Sequence, residues 1–261
     1  MRLARYGHRM ENTFKVVIPA RYASSRLPGK PLLKIAGKAM ILHVCEKASL
    51  AGAQEVVVAT DDERILECVK QAGFNAVMTL ASHTSGTERL TEVANKMHWK
   101  DDTVIVNCQG DEPLIPPELI SKAATSLMGQ DIAQVASLCA PINDAEEVFN
   151  PNAVKVVRDA QDYALYFSRA PIPWDRDVFP TNTLDSKKEH FRHIGIYSYT
   201  AGFLRRYITW PACALEKIES LEQLRILYQG ERIIVPSVDQ VPEAGVDTQE
   251  DLDRINARLS Q

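Results

Sequence analysis

The sequence predicts an α/β protein built on a mostly parallel sheet, with an antiparallel part late in the chain. Three observations carry this. Short apolar runs at residues 16–18, 56–59 and 104–106 alternate with longer amphipathic stretches. Near-continuous apolar strands of that kind belong to a parallel sheet covered by helices on both faces. After Asn150-Pro151 the pattern changes to paired short runs around a polar turn, which is hairpin chemistry.

Taken in order, the first strand ends at Ile18-Pro19. A loop follows with three cations, Arg21, Arg26 and Lys30. The next stretch is helical, with Met40, Ile41, Val44, Cys45 and Ala48 on one face. Residues 55–60 form a buried strand, and Asp61-Asp62 opens a helix whose apolar face is Ile65, Leu66 and Val69. Residues 76–78 are a short strand and 79–86 a polar loop. Residues 87–97 are a helix, 103–107 a buried strand, 117–128 a helix and 133–140 a strand. Residues 154–157 and 163–167 pair about a turn at 159–162. Residues 172–189 are a long connection, and 193–199 a further strand of the antiparallel part. Helices are expected at 200–207 and 215–228, a short strand at 233–235, and a last helix at 248–259, capped by Asp247 or Thr248. No internal repeat or low-complexity segment interrupts this pattern.

Ligands in such sheets gather at the carboxyl ends of the strands. One rim therefore collects the basic loop after Ile18, Asp61-Asp62, and Gln109-Gly110-Asp111. Ser85-Gly86-Thr87-Glu88-Arg89 opens a helix and can join them. The basic loop is either an anion site or a solvated surface. It is not a Walker loop, because Pro31 follows Lys30 where a Ser or Thr should stand, and no GxGxxG is present. A phosphate here would be held by side-chain cations. Asp111, between a glycine and a nearby proline, is either a turn residue or a magnesium ligand. Asp247 is either a helix cap or a second such ligand.

The 261 residues allow one large domain, or a domain with a sizeable subdomain. Net charge is −4, which argues against a general nucleic-acid binder. The cysteines are five, with no CxxC, so buried reduced thiols are expected rather than disulfides or a zinc site. No GxSxG and no histidine ligand spacing occur. No apolar stretch approaches the ~18 residues of a membrane span. Residues 1–13 carry Arg2, Arg5 and Arg9 without an apolar core. They read as an unstructured extension ahead of a single domain over 14–261, with 151–210 as its antiparallel subdomain.

The stretch Ile18-Pro19-Ala20-Arg21-Tyr22-Ala23-Ser24-Ser25-Arg26-Leu27-Pro28-Gly29-Lys30-Pro31 closely resembles the signature of the 3-deoxy-manno-octulosonate (Kdo) cytidylyltransferases, or CMP-Kdo synthetases. The resemblance continues in Ser85-Gly86-Thr87-Glu88-Arg89, Asn107-Cys108-Gln109-Gly110-Asp111-Glu112-Pro113, and Asn150-Pro151-Asn152-Ala153-Val154-Lys155. It returns in Tyr166-Phe167-Ser168-Arg169-Ala170, His193-Ile194-Gly195-Ile196-Tyr197, Leu221-Glu222-Gln223-Leu224-Arg225 and Gly245-Val246-Asp247-Thr248. It implies a nucleotide-diphospho-sugar transferase-like, Rossmann-like fold with an antiparallel dimerisation subdomain. It also implies a cytoplasmic homodimer and a Mg2+-dependent reaction of CTP with Kdo that gives CMP-Kdo and pyrophosphate for lipopolysaccharide synthesis. Carried over by motif, Pro19, Ala20, Arg21, Ser24 and Lys30 would bind the nucleotide, and Asp111 and Asp247 the metal. Arg89, Gln109, Arg169, His193, Tyr197 and Glu222 would face the sugar acid. Asp111, Asp247, Lys30 and Arg21 would carry the catalysis. Another sugar acid, 8-amino-Kdo or a sialic acid, is the neighbouring reading, and a silent nucleotide-binding protein the remote one.

Overall fold

The computed structural model describes residues 13–23, 26–179, 189–239 and 241–259. Strand β1 (Phe14–Ala20) leads through the basic loop to a single 3₁₀ turn (Lys30–Leu32). A two-residue hairpin, β2 (Lys34–Ile35) and β3 (Lys38–Ala39), follows, then α1 (Met40–Leu50). Next come β4 (Glu55–Thr60), α2 (Glu63–Gln71), β5 (Asn75–Met78), α3 (Gly86–Lys96), β6 (Val104–Asn107), α4 (Pro117–Leu127) and β7 (Val135–Pro141). A short α5 (Ala145–Phe149) precedes β8 (Lys155–Arg158), β9 (Ala164–Ser168) and β10 (Phe191–Thr200). The chain closes with α6 (Ala201–Tyr207), α7 (Ala214–Glu219), α8 (Leu224–Tyr228), β11 (Ile233–Ile234) and α9 (Gln249–Leu259).

One sheet runs in the order β11-β7-β10-β6-β1-β4-β5, with β8 and β9 added beside β10. β1 pairs in parallel with both β4 and β6. The chain moves outward from β1 to β4 and β5, then returns to the other side of β1 as β6. That reversal opens a crevice at the carboxyl ends of β1 and β6, where α/β sheets take ligands. Both faces of the sheet are buried, as the apolar runs require. Val16, Ile18, Val58 and Val106 pack with α1, α2 and α4. Val17, Val57, Ala59 and Ile105 pack with α3 and α6.

Several elements differ from the sequence-based expectation, the short α5 among them, which was not anticipated. The strand expected inside the antiparallel subdomain, β10, lies in the middle of the main sheet, antiparallel to β6 and β7. Only β8 and β9 extend beyond it, so the antiparallel part is continuous with the core sheet. The single helix expected over 215–228 is two, α7 and α8, because Ser220 turns left-handed at φ 51 and stops the first. The β2–β3 hairpin was not anticipated; it turns on Ala36 and Gly37, both at positive φ.

Candidate functional site

The site is built on the rim formed by β1, β4 and β6. A pocket of about 240 Å³ is lined there by Pro19, Ala20, Arg21, Ala23, Lys30, Gly86, Arg89, Gln109, Gly110 and Asp111. Gly110 sits against the end of β1. A Cβ at that position would stand 2.7 Å from the Pro19 carbonyl oxygen, so the loop after β6 closes onto β1 only because residue 110 is glycine. Ser24, expected at the nucleotide, lies outside the described residues. A larger hollow, about 1090 Å³, lies at the opposite ends of β1 and β6. Its charged groups are largely spent on neighbours, Lys15 on Glu55, Arg205 on Asp101 and Arg206 on Glu231. It sits at the wrong end of the strands for the chemistry.

Lys30 is the centre of the rim. Its Nζ lies 2.6 Å from Asp111 Oδ2 and 3.0 Å from Asp247 Oδ1. Arg26 joins them, with its Nη2 3.2 Å from the same Asp247 oxygen. The backbone fixes the two aspartates relative to each other. The Val246 N–H donates to the Asp111 carbonyl at 2.8 Å, and a Cβ on Gly245 would meet that carbonyl at 2.8 Å. Asp247 is not consumed as a helix cap. The Thr248 hydroxyl accepts from the Asp251 N–H at 3.2 Å, and the Asp251 carboxylate accepts from the N–H groups of Asp247 and Thr248. The hydrogen bond from the Asp247 N–H is the first cause holding Asp251 down to about 2. The capping question is thereby settled in favour of Thr248, and the Asp247 side chain faces Lys30.

Two carboxylates meeting on one cation suit Mg2+, a hard ion commonly held by one or two carboxylates plus substrate oxygens and water. Among the described residues no group of three or more His, Cys, Asp or Glu forms a complete protein cage. Asp111 and Asp247 alone would leave most of such an ion's shell to water and substrate oxygens.

Arg21 donates through Nη2 to the His83 carbonyl. Arg89 is fully buried in the pocket wall. Its Nη1 donates to Thr79 Oγ1 at 2.6 Å and its Nη2 pairs with Asp61, while its Nε has no partner among the described residues. Gln109 lines the pocket directly.

The remaining sugar-facing candidates lie on and around β10. Tyr197 stands opposite Asn107, the last residue of β6, so residues 191–196 run past the rim and wall one side of it. His193 is half-buried and its pKa is lowered to about 3, first by desolvation and then by the charge of Arg192. Its Nε2 is 2.9 Å from Ser137 Oγ, whose hydroxyl donates to the Ile196 carbonyl at 2.9 Å. His193 is thus neutral at pH 7, with Nε2 on the Ser137 hydroxyl. The Tyr197 hydroxyl is buried without a partner among the described residues, and so are Asn107 Oδ1 and Gln223 Nε2. Buried polar atoms are normally paired, and each left open costs about 1–3 kcal/mol. Glu222 accepts from the Tyr207 hydroxyl at 2.9 Å.

Arg169 is placed differently from the pocket arginines. Its guanidinium donates to the carbonyls of Glu219, Pro151 and Ser220, and its own carbonyl accepts from buried Lys155. Among the described residues no carboxylate lies within ion-pair distance of Arg169 or Lys155. Arg89 is already neutralised by Asp61, whereas the Arg169 guanidinium is held by carbonyl oxygens, with the Glu219 carboxylate accepting from the Arg169 backbone N–H at 2.9 Å.

Sequence reasoning left Arg26 unassigned and did not single out Asn107, Gln223 or His83. Asn107 and Gln223 sit inside the motifs quoted above, so the signal was present for both. Nothing in spacing pairs Arg26 with a residue more than 200 positions away.

The family described as Cytidylyltransferase matches residues 15–233. A 3-deoxy-manno-octulosonate cytidylyltransferase of Aeromonas hydrophila subsp. hydrophila is 56% identical over 252 residues, covering 95% of this chain and 99% of the relative. A solved CMP:2-keto-3-deoxy-manno-octonic acid synthetase complexed with CTP superposes with TM-score 0.87 at 43% identity, covering 95% of this chain and 99% of the other. A cytidylyltransferase of Leptospira borgpetersenii serovar Hardjo-bovis shares the fold at TM-score 0.59 and 16% identity, covering 95% and 87% of the two chains.

Proposed function

The chain belongs to the cytidylyltransferase family, and from that premise we propose that it transfers CMP from CTP to the anomeric hydroxyl of 3-deoxy-D-manno-octulosonate (Kdo), releasing pyrophosphate. The observation that carries this reading is the meeting of Lys30, Asp111 and Asp247 beside a pocket on the switch-point rim. It is supported by the relative named for the same activity. The product is an activated sugar acid of the kind lipopolysaccharide synthesis consumes.

In this reading CTP lies along the loop after β1, against Pro19, Ala20, Arg21, Ser24 and Lys30. Arg21 and Lys30 neutralise the triphosphate and the departing pyrophosphate. Loss of one such preorganised electrostatic contact typically costs about 10²–10³ in rate. Asp111 and Asp247 would hold Mg2+, which would supply Lewis-acid charge stabilisation to the phosphate and to the attacking hydroxyl. Gln109, Tyr197, His193 and Glu222 orient the sugar acid. Its hydroxyls satisfy the open positions at Tyr197, Asn107 and Gln223. With a pKa of about 3, His193 is too weak a base to take a proton at neutral pH, so it orients the sugar through hydrogen bonds. Arg169, whose guanidinium is paired with carbonyl oxygens and with no carboxylate among the described residues, suits the sugar carboxylate, where a bidentate guanidinium is better than an ammonium. Arg89, paired with Asp61, contributes a donor on the same rim.

The enzyme acts as a cytoplasmic homodimer in this reading. Edge strand β9 leaves Leu165 60% exposed, and Ile218 on α7 is 79% exposed. The two belong to neighbouring elements, because Glu219 at the end of α7 accepts from Ser168 at the end of β9. No described helix is long and apolar enough to cross a membrane.

The test is pyrophosphate release with Mg2+, each of the four nucleoside triphosphates, and a panel of Kdo, 8-amino-Kdo and a sialic acid. Release is expected with CTP and Kdo. Silence with that pair overturns the reading. Preference for another sugar acid moves the substrate while keeping the chemistry.

A further inference from the structure

His83 belongs to no role described so far, yet it sits at the only described contact of the Arg21 guanidinium. Its ring is wedged between two carboxylates on successive turns of α3. Nε2 is 2.6 Å from Glu92 Oε2 and Nδ1 is 3.6 Å from Glu88 Oε2. Two like charges four residues apart on a helix repel, so Glu88 and Glu92 each need partners of their own. Both carboxylates are fixed independently of His83. Glu92 pairs with Lys96 at 2.8 Å and accepts from the Leu80 N–H at 2.8 Å. Glu88 accepts from the Thr84 N–H at 2.6 Å and completes the capping box with Ser85. Burial pushes both carboxyls up, but these hydrogen bonds outweigh it and hold both below their ordinary range. The loop of residues 79–85 thus hangs from two anions on a rigid helix.

The peptide unit between His83 and Thr84 is the link that matters. Its N–H, on Thr84, donates to Glu88, and its C=O, on His83, accepts from Arg21. One end of this peptide plane is set by α3 and the other holds the guanidinium. The ring fixes the remaining freedom, the rotation of His83 itself. We propose that His83 is a positioning residue for the nucleotide half of the site: its ring, braced on Glu92 and Glu88, aims the His83 carbonyl so that Arg21 is held at the pocket mouth for the triphosphate.

This inference rests on the nucleotide role given to Arg21 above, and its test separates the two. His83→Ala should lower kcat/KM for CTP by about tenfold, a fraction of the ~10²-fold that a 1 Å misplacement of a catalytic contact can cost. KM for the sugar acid should stay within about twofold in the same variant. His83→Gln, which can still donate to Glu92, should recover most of the loss, and the shorter His83→Asn should not. The deciding measurement is the double-mutant cycle with Arg21→Ala. In the Arg21→Ala background, His83→Ala should change kcat/KM for CTP by less than about twofold. Full additivity of the two losses, or equal damage to both substrates, overturns the inference while leaving the cytidylyltransferase reading intact. If His83→Ala does not fold, the Gln and Asn variants with the same cycle decide it, and equal behaviour of those two overturns it. An inactive wild-type protein would instead remove the reading on which the inference stands.

Discussion

Asp247 and Thr248 are adjacent, and the structure gives them opposite jobs that substitution can separate. Thr248 caps α9 by accepting from the Asp251 N–H, and Leu252 and Ile255 anchor that helix in a small apolar cluster. Losing a cap of this kind costs about 1 kcal/mol. In a domain of this size that lowers Tm by roughly 2–4 °C. Thr248→Ala should therefore melt lower while turning over nearly normally. Asp247 is half exposed and pairs with Lys30 and Arg26 at 3.0 and 3.2 Å. Exposed pairs contribute about 0–1 kcal/mol, so Asp247→Asn should leave Tm almost unmoved. Its turnover should fall by about 10²–10³, the scale of one lost preorganised contact at a site of developing charge. Calorimetry and pyrophosphate release at saturating Mg2+ measure the two effects on the same samples. The reasoning fails if Asp247→Asn works normally at saturating Mg2+, or if it loses as much Tm as Thr248→Ala.

Two further outcomes follow from the geometry. Gly110→Ala puts a Cβ 2.7 Å from the Pro19 carbonyl oxygen, so the loop bearing Gln109 and Asp111 must move and activity should drop by about 10²-fold. Gly195→Ala, with nothing within 4 Å, is the control and should stay active; equal activity of the two variants would contradict the close approach. His193 has a folded pKa of about 3, below its ordinary 6.5, so below pH 6.5 the unfolded chain gains a proton that the native state refuses. Stability from this group is complete above pH 6.5 and is lost as pH falls toward 3, by about 1.4 kcal/mol per pH unit. Between pH 7 and pH 5 the wild type should lose about 2 kcal/mol more than His193→Gln in urea titrations, and parallel curves would refute the assignment.

The rim was legible in the sequence because its signals are local. Apolar runs ending in Ile18-Pro19, in Thr60-Asp61 and in Asn107-Cys108-Gln109 mark strand ends, and parallel pairing of β1 with β4 and β6 brings those ends together. The three-dimensional partners were not legible. Periodicity states that residues 193–199 form a strand but not that the strand enters between β6 and β7. Ser220 breaks a helical pattern whose apolar residues continue on both sides of it, and serine is no stop signal. Asp247 and Thr248 are both good caps, and only Asp251 decides between them. The orphaned groups at Tyr197, Asn107 and Gln223 become visible only once burial is known.

The basic loop and the carboxylates could each have been placed by charge alone, but charge does not explain why they meet. Lys30 and Asp247 are 217 residues apart in sequence, and their two segments are joined by apolar packing behind the ion pair. Leu27, Ile35 and Met40 from one segment bury against Val246, Leu252 and Ile255 from the other. Asn256 on α9 ties the pair further, accepting from the Ala36 N–H at 2.8 Å and donating to the Lys34 carbonyl at 3.2 Å. The unforeseen β2–β3 hairpin is therefore what α9 docks on. Exposed ion pairs contribute too little to order two loops, whereas burial of several aliphatic side chains contributes about 1.5–3 kcal/mol each. The apolar cluster sets the distance between Lys30 and Asp247, and the charges on the solvent side are then free to exchange partners when a triphosphate enters.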